Sequence, residues 1–364
     1  MSSAIKAIFA AAIAVFFGAV NFTDSFREIP AALSARIGSM ALEQKIGQMM
    51  IVGIRGMSPD EAVIEKIEKL HIGGFNLLKR NVADAGQVKN LSSGLQAIAS
   101  VSGAPPLFIG TDQEGGAVSR FNFISDLTPQ SRIADAASGE AIALKRGSEL
   151  KALGVNMNFA PMADYVSDPQ SYLYGRAFRG SRSEVAAIAS AMMHGYGVSG
   201  VIAVLKHFPG YGNVRPNPHS EGSRLDTDKN DVQANIGVFK NVISSSQVDA
   251  LMTAHVIISD VDTEPASESY VFITRILRDE IGFNGVVMTD DLDMVSAGSS
   301  AGEAAVKAVL AGADMVIISN PALDGAVHAS LLKAISDGRI SESRIDQSVR
   351  RIFKLKNTRL GFKG

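Results

Sequence analysis

Residues 183–210 read SEVAAIASAMMHGYGVSGVIAVLKHFPG, and this stretch decides the fold because it holds one complete helix-to-strand unit. In its first half, apolar residues recur every three or four positions, which predicts a helix packed on one face. Gly200 then stands where a helix ends in the left-handed conformation. The next run, VIAVLKH, is apolar on both faces, as expected of a parallel strand covered by helices. The stretch therefore predicts an α/β protein.

Seven further apolar runs repeat this alternation along the chain. They span residues 46–54, 72–78, 105–111, 155–162, 250–258, 285–290 and 314–319. Eight such units predict a closed (β/α)8 barrel of the TIM type. A doubly wound open sheet is the alternative, but its Gly-rich phosphate turn is missing, because IVGIRGMSPDE (51–61) does not match GxGxxG. No Pro-, Ser- or Gly-rich linker divides residues 31–364, so we predict a single barrel domain there.

Composition excludes several classes of function. The chain is 46% apolar and 20% charged, with a formal net charge of −2. A near-neutral globular chain gives no indication of nucleic acid or of an anionic membrane surface as a partner. It has no cysteine, which excludes disulfides, thiolate metal sites and cysteine nucleophiles. Its six histidines include no pair at i, i+4 spacing, so we predict neither a metal site nor a cofactor.

The N-terminal segment MSSAIKAIFAAAIAVFFGAV (1–20) resembles an export signal. One lysine precedes an uncharged run from Ala7 to Val20, which is the length of a signal-peptide core and shorter than the ~20 residues of a spanning helix. Phe17 is bulky for the position three residues before a cut after Ala19. We expect residues 1–30 to be a signal peptide or a membrane anchor, and the protein to be periplasmic or anchored in the inner membrane. The alternative is a cytoplasmic protein with a buried or amphipathic N-terminal helix.

Polar residues follow several of the predicted strands. The strand ends read TDQEGG (111–116), APMAD (160–164), KHFPG (206–210), TAH (253–255) and TDDLD (289–293). In a barrel of this type the carboxyl ends of the strands meet at one face, where enzymes carry their active sites. The sequence therefore predicts one site that combines these side chains.

Four motifs resemble the family 3 glycoside hydrolases, in the order that the family has them. They are GTDQEGGAVSRF (110–121), KHFPGYG (206–212), MTAH (252–255) and GVVMTDDLDM (285–294). The similarity extends from about residue 40 to residue 355 and is greatest to the bacterial β-N-acetylglucosaminidases that trim cell-wall fragments. The resemblance implies an exo-acting, retaining hydrolase for terminal β-linked N-acetylglucosamine or a related β-sugar. Its substrates would be amino-sugar glycosides or peptidoglycan fragments.

The resemblance also implies roles for individual residues. Asp290, the first aspartate of TDD, matches the nucleophile that forms a covalent glycosyl-enzyme. The alternative role for Asp290 is a helix N-cap, which Asp291 could fill equally well. The positions that match family contacts to the sugar hydroxyls or the acetamido group are Asp112, Arg120, Arg176, Lys206 and His207. His255, at the end of the sixth run, is a candidate support for the site.

The general acid/base of that branch is a histidine on the loop after the fifth strand, and here it matches His219 of VRPNPH (214–219). The aspartate that partners it two residues earlier is replaced by Asn217, and Glu221 is the nearest alternative carboxylate. A neutral amide cannot stabilise an imidazolium as a carboxylate does. Ala117 and Tyr211 also depart from the family pattern, which has an arginine and a histidine at these positions.

Three alternatives to the acetylglucosaminidase stay open. The first is a catalytically impaired protein that binds sugars or muropeptides, consistent with Asn217. The second is a glycoside phosphorylase, in which phosphate releases the sugar. The third is a β-glucosidase of the same family, because barrels specific for glucose share most of these residues.

Overall fold

The computed structural model describes residues 29–215, 223–224, 229–293 and 300–364. The predicted export segment, residues 1–30, therefore lies outside the described residues except for its last two positions. Within the described ranges, no helix is both long enough and apolar enough to cross a bilayer.

Eight parallel strands close into a barrel, which confirms the predicted fold. The barrel strands are β1 (Met50–Gly53), β2 (Gly74–Leu77), β3 (Phe108–Thr111), β6 (Met157–Asn158), β7 (Ile202–Phe208), β9 (Ala250–Thr253), β11 (Val286–Asp291) and β12 (Met315–Ile318). Each pairs with the next along the chain, and β12 pairs with β1 to complete the ring. Two small additional pairs lie outside the barrel: antiparallel β4 (Gln113–Gly115) with β5 (Val118–Ser119), and parallel β8 (Ser223–Arg224) with β10 (Val256–Ile257).

Helices alternate with the barrel strands and cover them. They are α1 (Ala31–Ser39), α2 (Leu42–Gln48), α3 (Glu61–Glu68), α4 (Ala85–Val101), α5 (Ala136–Ala152), α6 (Arg182–Ser199), α7 (Lys229–Ser245), a π-helix α8 (Val271–Glu280), α9 (Ala301–Ala311), α10 (Asp324–Ser336) and α11 (Glu342–Leu360). Within the described ranges, three single turns of 3₁₀-helix span Lys79–Asn81, Gln130–Arg132 and Ala266–Glu268.

The stretch that predicted the fold forms the helix and strand expected of it. The Ser181 side chain caps α6 by accepting from the backbone N–H of Glu184, whose carboxylate accepts from the backbone N–H of Ser181 in return. Gly200 ends the helix with φ 80°, a conformation that costs glycine little because it has no Cβ. The chain then enters β7, which is buried at all seven positions.

Three predicted runs differ most from the strands they contain. The first three residues of 46–54 belong to α2. Run 155–162 yields only β6, because Pro161 has no N–H to continue the ladder. Run 250–258 divides into β9, which pairs with β7 and β11, and β10, which pairs with β8. Asp164 and His255 therefore lie beyond the carboxyl ends of β6 and β9.

Burial along the strands locates the open face of the barrel. Every residue of the eight barrel strands is buried except the last two of β11, Asp290 and Asp291. A barrel interior of this kind is packed with side chains. Access to it therefore exists at the carboxyl end, where those two aspartates stand.

Candidate active site at the carboxyl end of the barrel

A cavity of about 550 Å³ opens at the carboxyl ends of the strands, and all six sequence-predicted site residues within the described ranges line it. They are Asp112, Arg120, Arg176, Lys206, His207 and Asp290. The other three predicted site residues, Asn217, His219 and Glu221, lie outside the described residues. The barrel thus assembles the predicted set from the ends of β3, β7 and β11 and from the loops beside them.

A chain of ion pairs crosses one wall of this cavity. Lys206 Nζ lies 2.9 Å from Asp112 Oδ1 and 2.7 Å from Glu114 Oε1. Arg120 donates to the other oxygen of Asp112 at 3.0 Å. Arg176 binds the Glu114 carboxylate with two nitrogens, at 3.0 and 2.7 Å. Five charged groups therefore hold one another in fixed positions with no carboxylate left unpaired.

The ion pairs keep these groups charged although the protein buries them. Burial alone raises the pKa of Asp112 and of Glu114. Lys206 and Arg120 outweigh burial at Asp112 and hold its pKa well below the usual range. Arg176 and Lys206 do the same at Glu114. Burial lowers the pKa of Lys206, and the two carboxylates more than reverse this. The wall therefore offers charged donors and acceptors to a polar ligand across the physiological pH range.

His207 is oriented by a buried carboxylate that the sequence did not indicate. Asp164 Oδ2 accepts from the backbone N–H of His207 at 3.0 Å and lies 2.8 Å from its Nδ1. The other oxygen of Asp164 accepts from the backbone N–H of Tyr211 at 2.7 Å. With Nδ1 held in this way, Nε2 faces Asp290, 3.8 Å from its Oδ2.

Asp290 carries its negative charge into the cavity. Burial raises its pKa, but the positive charge of His207, His255 and Lys206 outweighs burial, and the net pKa is lowered. Burial lowers the pKa of His255, whereas the two carboxylate partners of Lys206 raise the pKa of Lys206, so the charge of Lys206 persists near neutral pH. One oxygen of Asp290 accepts from the backbone N–H of Asp291 at 2.8 Å. The carboxylate is thus ionised, anchored on one oxygen, and available to react.

His255 and Tyr211 support the strand end that carries Asp290. The Tyr211 hydroxyl accepts from the backbone N–H of His255 at 2.9 Å. The His255 ring bonds to the Ser267 hydroxyl at 2.7 Å through Nδ1, and its Nε2 lies 3.1 Å from the carbonyl of Asp291. This ring is buried, and it fixes the backbone directly after Asp290.

Glu114 and Asp164 are the site residues that sequence reasoning missed. Both lie inside strand-end motifs, TDQEGG and APMAD, and alternation places Glu114 on the same side of the chain as Asp112. That alternation was an available signal for Glu114. The sequence held no signal for Asp164 beyond its place at a strand end, because its partner His207 lies on a different strand, β7.

The described residues hold no group of three or more His, Asp and Glu side chains arranged for a metal ion. What the cavity does contain is one free carboxylate, a histidine beside it, and a wall of paired charges. Such a wall can hydrogen-bond several hydroxyl groups at once. The free carboxylate can attack or stabilise an electron-poor carbon placed over it.

A second cavity of about 550 Å³ lies near the amino ends of β7 and β9. Its titratable lining includes His194 and Glu140, which pair at 2.8 Å with side chains 65% and 46% exposed. Solvent screens a pair this exposed, and among the described residues the lining has no ion pair as buried as that of Lys206 with Glu114 in the carboxyl-end cavity. The carboxyl-end cavity is therefore the candidate active site.

Comparison with known proteins identifies the same family that the sequence motifs resemble. The model of the glycosyl hydrolase family 3 N-terminal domain matches residues 41–355. Beta-hexosaminidase A of Pseudoalteromonas piscicida is 31% identical over 80% of this chain and 54% of its own length. The beta-hexosaminidase of Stenotrophomonas maltophilia strain K279a is 35% identical over 77% of this chain and 86% of its own. The chain thus spans about half the length of the Pseudoalteromonas protein and most of the Stenotrophomonas one.

Solved structures show the same similarity. A glycoside hydrolase family 3 β-N-acetylglucosaminidase from Paenibacillus sp. FPU-7 aligns with a TM-score of 0.86 and 37% identity, over 90% of this chain and 64% of that one. A β-N-acetylhexosaminidase from Beutenbergia cavernae aligns with a TM-score of 0.80 and 30% identity, over 87% and 99%.

Proposed function

The chain belongs to glycosyl hydrolase family 3, and on that premise we propose that it is a retaining, exo-acting β-N-acetylhexosaminidase. Its substrate would be a terminal β-linked N-acetylglucosamine, or a related β-sugar, on a cell-wall glycoside or peptidoglycan fragment. The observation that carries the proposal is Asp290, an ionised carboxylate at the end of β11 in the cavity that Asp112, Lys206 and Arg176 line.

In the first step, an oxygen of Asp290 attacks the anomeric carbon while the bond from that carbon to the leaving oxygen breaks. The leaving oxygen takes a proton from His219, whose place in this role rests on the sequence. The product is a glycosyl ester of Asp290 and a free alcohol. The lowered pKa of Asp290 supports this step because the carboxylate is already ionised when substrate arrives.

In the second step, water attacks the same carbon from the face that the leaving group left. His219 takes the proton from that water, and the bond to Asp290 breaks to regenerate the carboxylate. Two inversions give net retention at the anomeric carbon. The ring of His207, which Asp164 holds in place, lies 3.8 Å from Asp290 and bounds the space in which the bond forms and breaks.

The paired charges of the wall support binding of a terminal sugar. Asp112, with Lys206 and Arg120 already bonded to it, can accept from two ring hydroxyls without moving. Arg176, held by Glu114, presents its remaining donor surface to an acetamido or hydroxyl oxygen. Groups fixed before substrate arrives lose little entropy on binding, which favours the transition state.

The test is hydrolysis of 4-nitrophenyl β-N-acetylglucosaminide, with nuclear magnetic resonance of the first-formed sugar. We expect nitrophenol release with a β-configured product, and a loss of at least about a thousandfold in kcat for Asp290→Asn. A parallel panel of aryl β-glucosides, with and without phosphate, separates a β-glucosidase or a phosphorylase from the hexosaminidase. No turnover of any β-glycoside would overturn the proposal.

One competing function has a specific observation in its favour. Asn217 in place of the aspartate expected before His219 favours a protein that binds muropeptides without cleaving them. Calorimetric binding of a peptidoglycan fragment with no turnover would establish it. A preference for aryl glycosides over natural ones would instead indicate a working hydrolase with a weak acid, because a good leaving group needs little protonation.

We also propose that the protein acts on the outer side of the cytoplasmic membrane, on the basis of the uncharged run from Ala7 to Val20. A fusion of residues 1–30 to a reporter that is active only after export tests this. Reporter activity in the periplasm or at the inner membrane is expected, and a cytosolic, inactive fusion would contradict it.

A further inference from the structure

Asn76 places an unused hydrogen-bond acceptor in the wall of the active-site cavity. It lies at the carboxyl end of β2, within the otherwise apolar run IGGFNLL (72–78), and only 4% of it is exposed. Its side-chain oxygen Oδ1 is buried and has no hydrogen-bond partner among the described residues. Buried amides normally satisfy both ends, so an unpaired oxygen beside a cavity calls for a donor from whatever fills it.

The neighbours of Asn76 determine which end of its amide is already bonded. Its Nδ2 donates to the hydroxyl of Ser319 at 3.0 Å. Ser319 is held in turn by the Asp291 carboxylate, which accepts its backbone N–H at 3.1 Å. The bond to Ser319 therefore uses the nitrogen of the amide and leaves Oδ1 as the unpaired end of a residue that lines the cavity.

Strand β1 lies between Asn76 and Ser319, and its Gly53 leaves space for their side chains to contact each other. Gly53 of β1 is in register with Asn76, and a Cβ there would lie 2.1 Å from the carbonyl oxygen of Ser319. The guanidinium of Arg80 fills this space and donates to the same carbonyl. A side chain at Gly53 would displace both groups, so this glycine is part of the arrangement that holds Ser319 against Asn76.

We propose that Asn76 is a specificity-determining residue that accepts a hydrogen bond from the substrate, either from a ring hydroxyl or from the acetamido N–H. Asp290 and Asp112 line the same cavity, so the group it reads belongs to the sugar that occupies the site. The inference rests on the proposed glycosidase function and adds a contact to it. A sugar that lacks this donor would leave Oδ1 buried and unpaired, and the enzyme would discriminate against it.

The experiment pairs a protein change with single changes in the substrate. Wild type, Asn76→Leu and, as a matched control, Asn90→Leu on the exposed face of α4 are compared by kcat/KM. The substrates are 4-nitrophenyl β-N-acetylglucosaminide, its 3-, 4- and 6-deoxy analogues, and the 2-deoxy glucoside, which lacks the acetamido N–H and has no hydroxyl in its place. We expect Asn76→Leu to lower kcat/KM for the parent by roughly 10-fold to 100-fold. One analogue, and only one, should be cleaved equally by wild type and Asn76→Leu.

The outcomes separate this inference from the proposed function. Equal fold-losses for Asn76→Leu on every substrate, or no loss, would overturn the role of Asn76 while leaving the hydrolase intact. If wild type cleaves none of the substrates, the proposed function fails, and the same comparison is made by calorimetric Kd values of the corresponding free sugars. If Asn76→Leu does not fold, Ser319→Ala takes its place. That variant frees the amide to turn, and it should weaken discrimination against the same analogue only.

Discussion

Replacing Glu114 with glutamine tests whether the ion-pair wall is as tightly coupled as its geometry indicates. The side chain is 1% exposed and accepts from Arg176 at 3.0 and 2.7 Å and from Lys206 at 2.7 Å. Glutamine keeps the shape but removes the charge, and one of its ends is an NH₂ that would face a cation. Among the described residues, Arg176 then has no carboxylate within hydrogen-bonding distance, and Lys206 keeps only Asp112.

The expected cost follows from those three contacts. Removing one member of a buried ion pair leaves the other charge uncompensated, which typically costs about 3–5 kcal/mol. Glu114→Gln should therefore lower the free energy of unfolding by about 3–5 kcal/mol. It should also lower kcat/KM on the order of 100-fold, because the loosened Arg176 and Lys206 no longer hold the sugar in place. Urea unfolding and hydrolysis of the nitrophenyl glycoside measure the two effects.

The matched control is the same substitution at an exposed ion pair. Glu140 pairs with His194 at 2.8 Å, but both side chains are about half exposed. Glu140→Gln should change the free energy of unfolding by less than about 1 kcal/mol and leave kcat/KM unchanged. If Glu114→Gln is as mild as Glu140→Gln in both measurements, the reasoning about a dry, coupled wall is refuted.

Two further predictions concern stability. Tyr211→Phe removes the acceptor of the buried His255 N–H and should lower the free energy of unfolding by about 1–3 kcal/mol in urea; a loss under about 0.5 kcal/mol would contradict the contact. Burial lowers the pKa of Lys356 from 10.5 to about 7. Between pH 7 and pH 10.5 the folded state therefore binds fewer protons than the unfolded state, and the free energy of unfolding should rise with pH across that window. In Lys356→Met, urea unfolding at pH 7 and pH 9 should show a clearly smaller rise than in wild type; an equal rise would show that Lys356 is not the source.

The barrel could be predicted because each of its units carries a local signal. In the stretch 183–210, helical spacing, Gly200 and an apolar strand each follow from short-range physics, and an apolar strand run occurs eight times in the chain. Strand ends were less predictable. Run 250–258 resembles one strand, yet β9 pairs inside the barrel and β10 pairs with β8 outside it, and the partner strands come from other parts of the chain.

The residues of the site were likewise predictable only in part. Its strand-end residues could be identified because a barrel brings those ends to one face, and the motifs around Asp290 and Lys206 supplied the resemblance. The residues that orient them could not be identified. Asp164 gains its importance only when β7 places His207 beside it. Asn76 did carry a signal, a polar residue within an apolar run, but its unpaired oxygen is visible only in three dimensions.

If Asp290 is the nucleophile, it forms a covalent bond to the sugar, and that bond can be trapped. A 5-fluoro N-acetylglucosaminyl fluoride has a leaving group that needs little acid, and its ring fluorine slows hydrolysis of the glycosyl ester. Mass spectrometry of the digested protein should find one fluorosugar on the peptide that contains Asp290, and none in Asp290→Asn. A fluorosugar on another residue, or fluoride release with an inverted product and no labelled protein, would contradict the account.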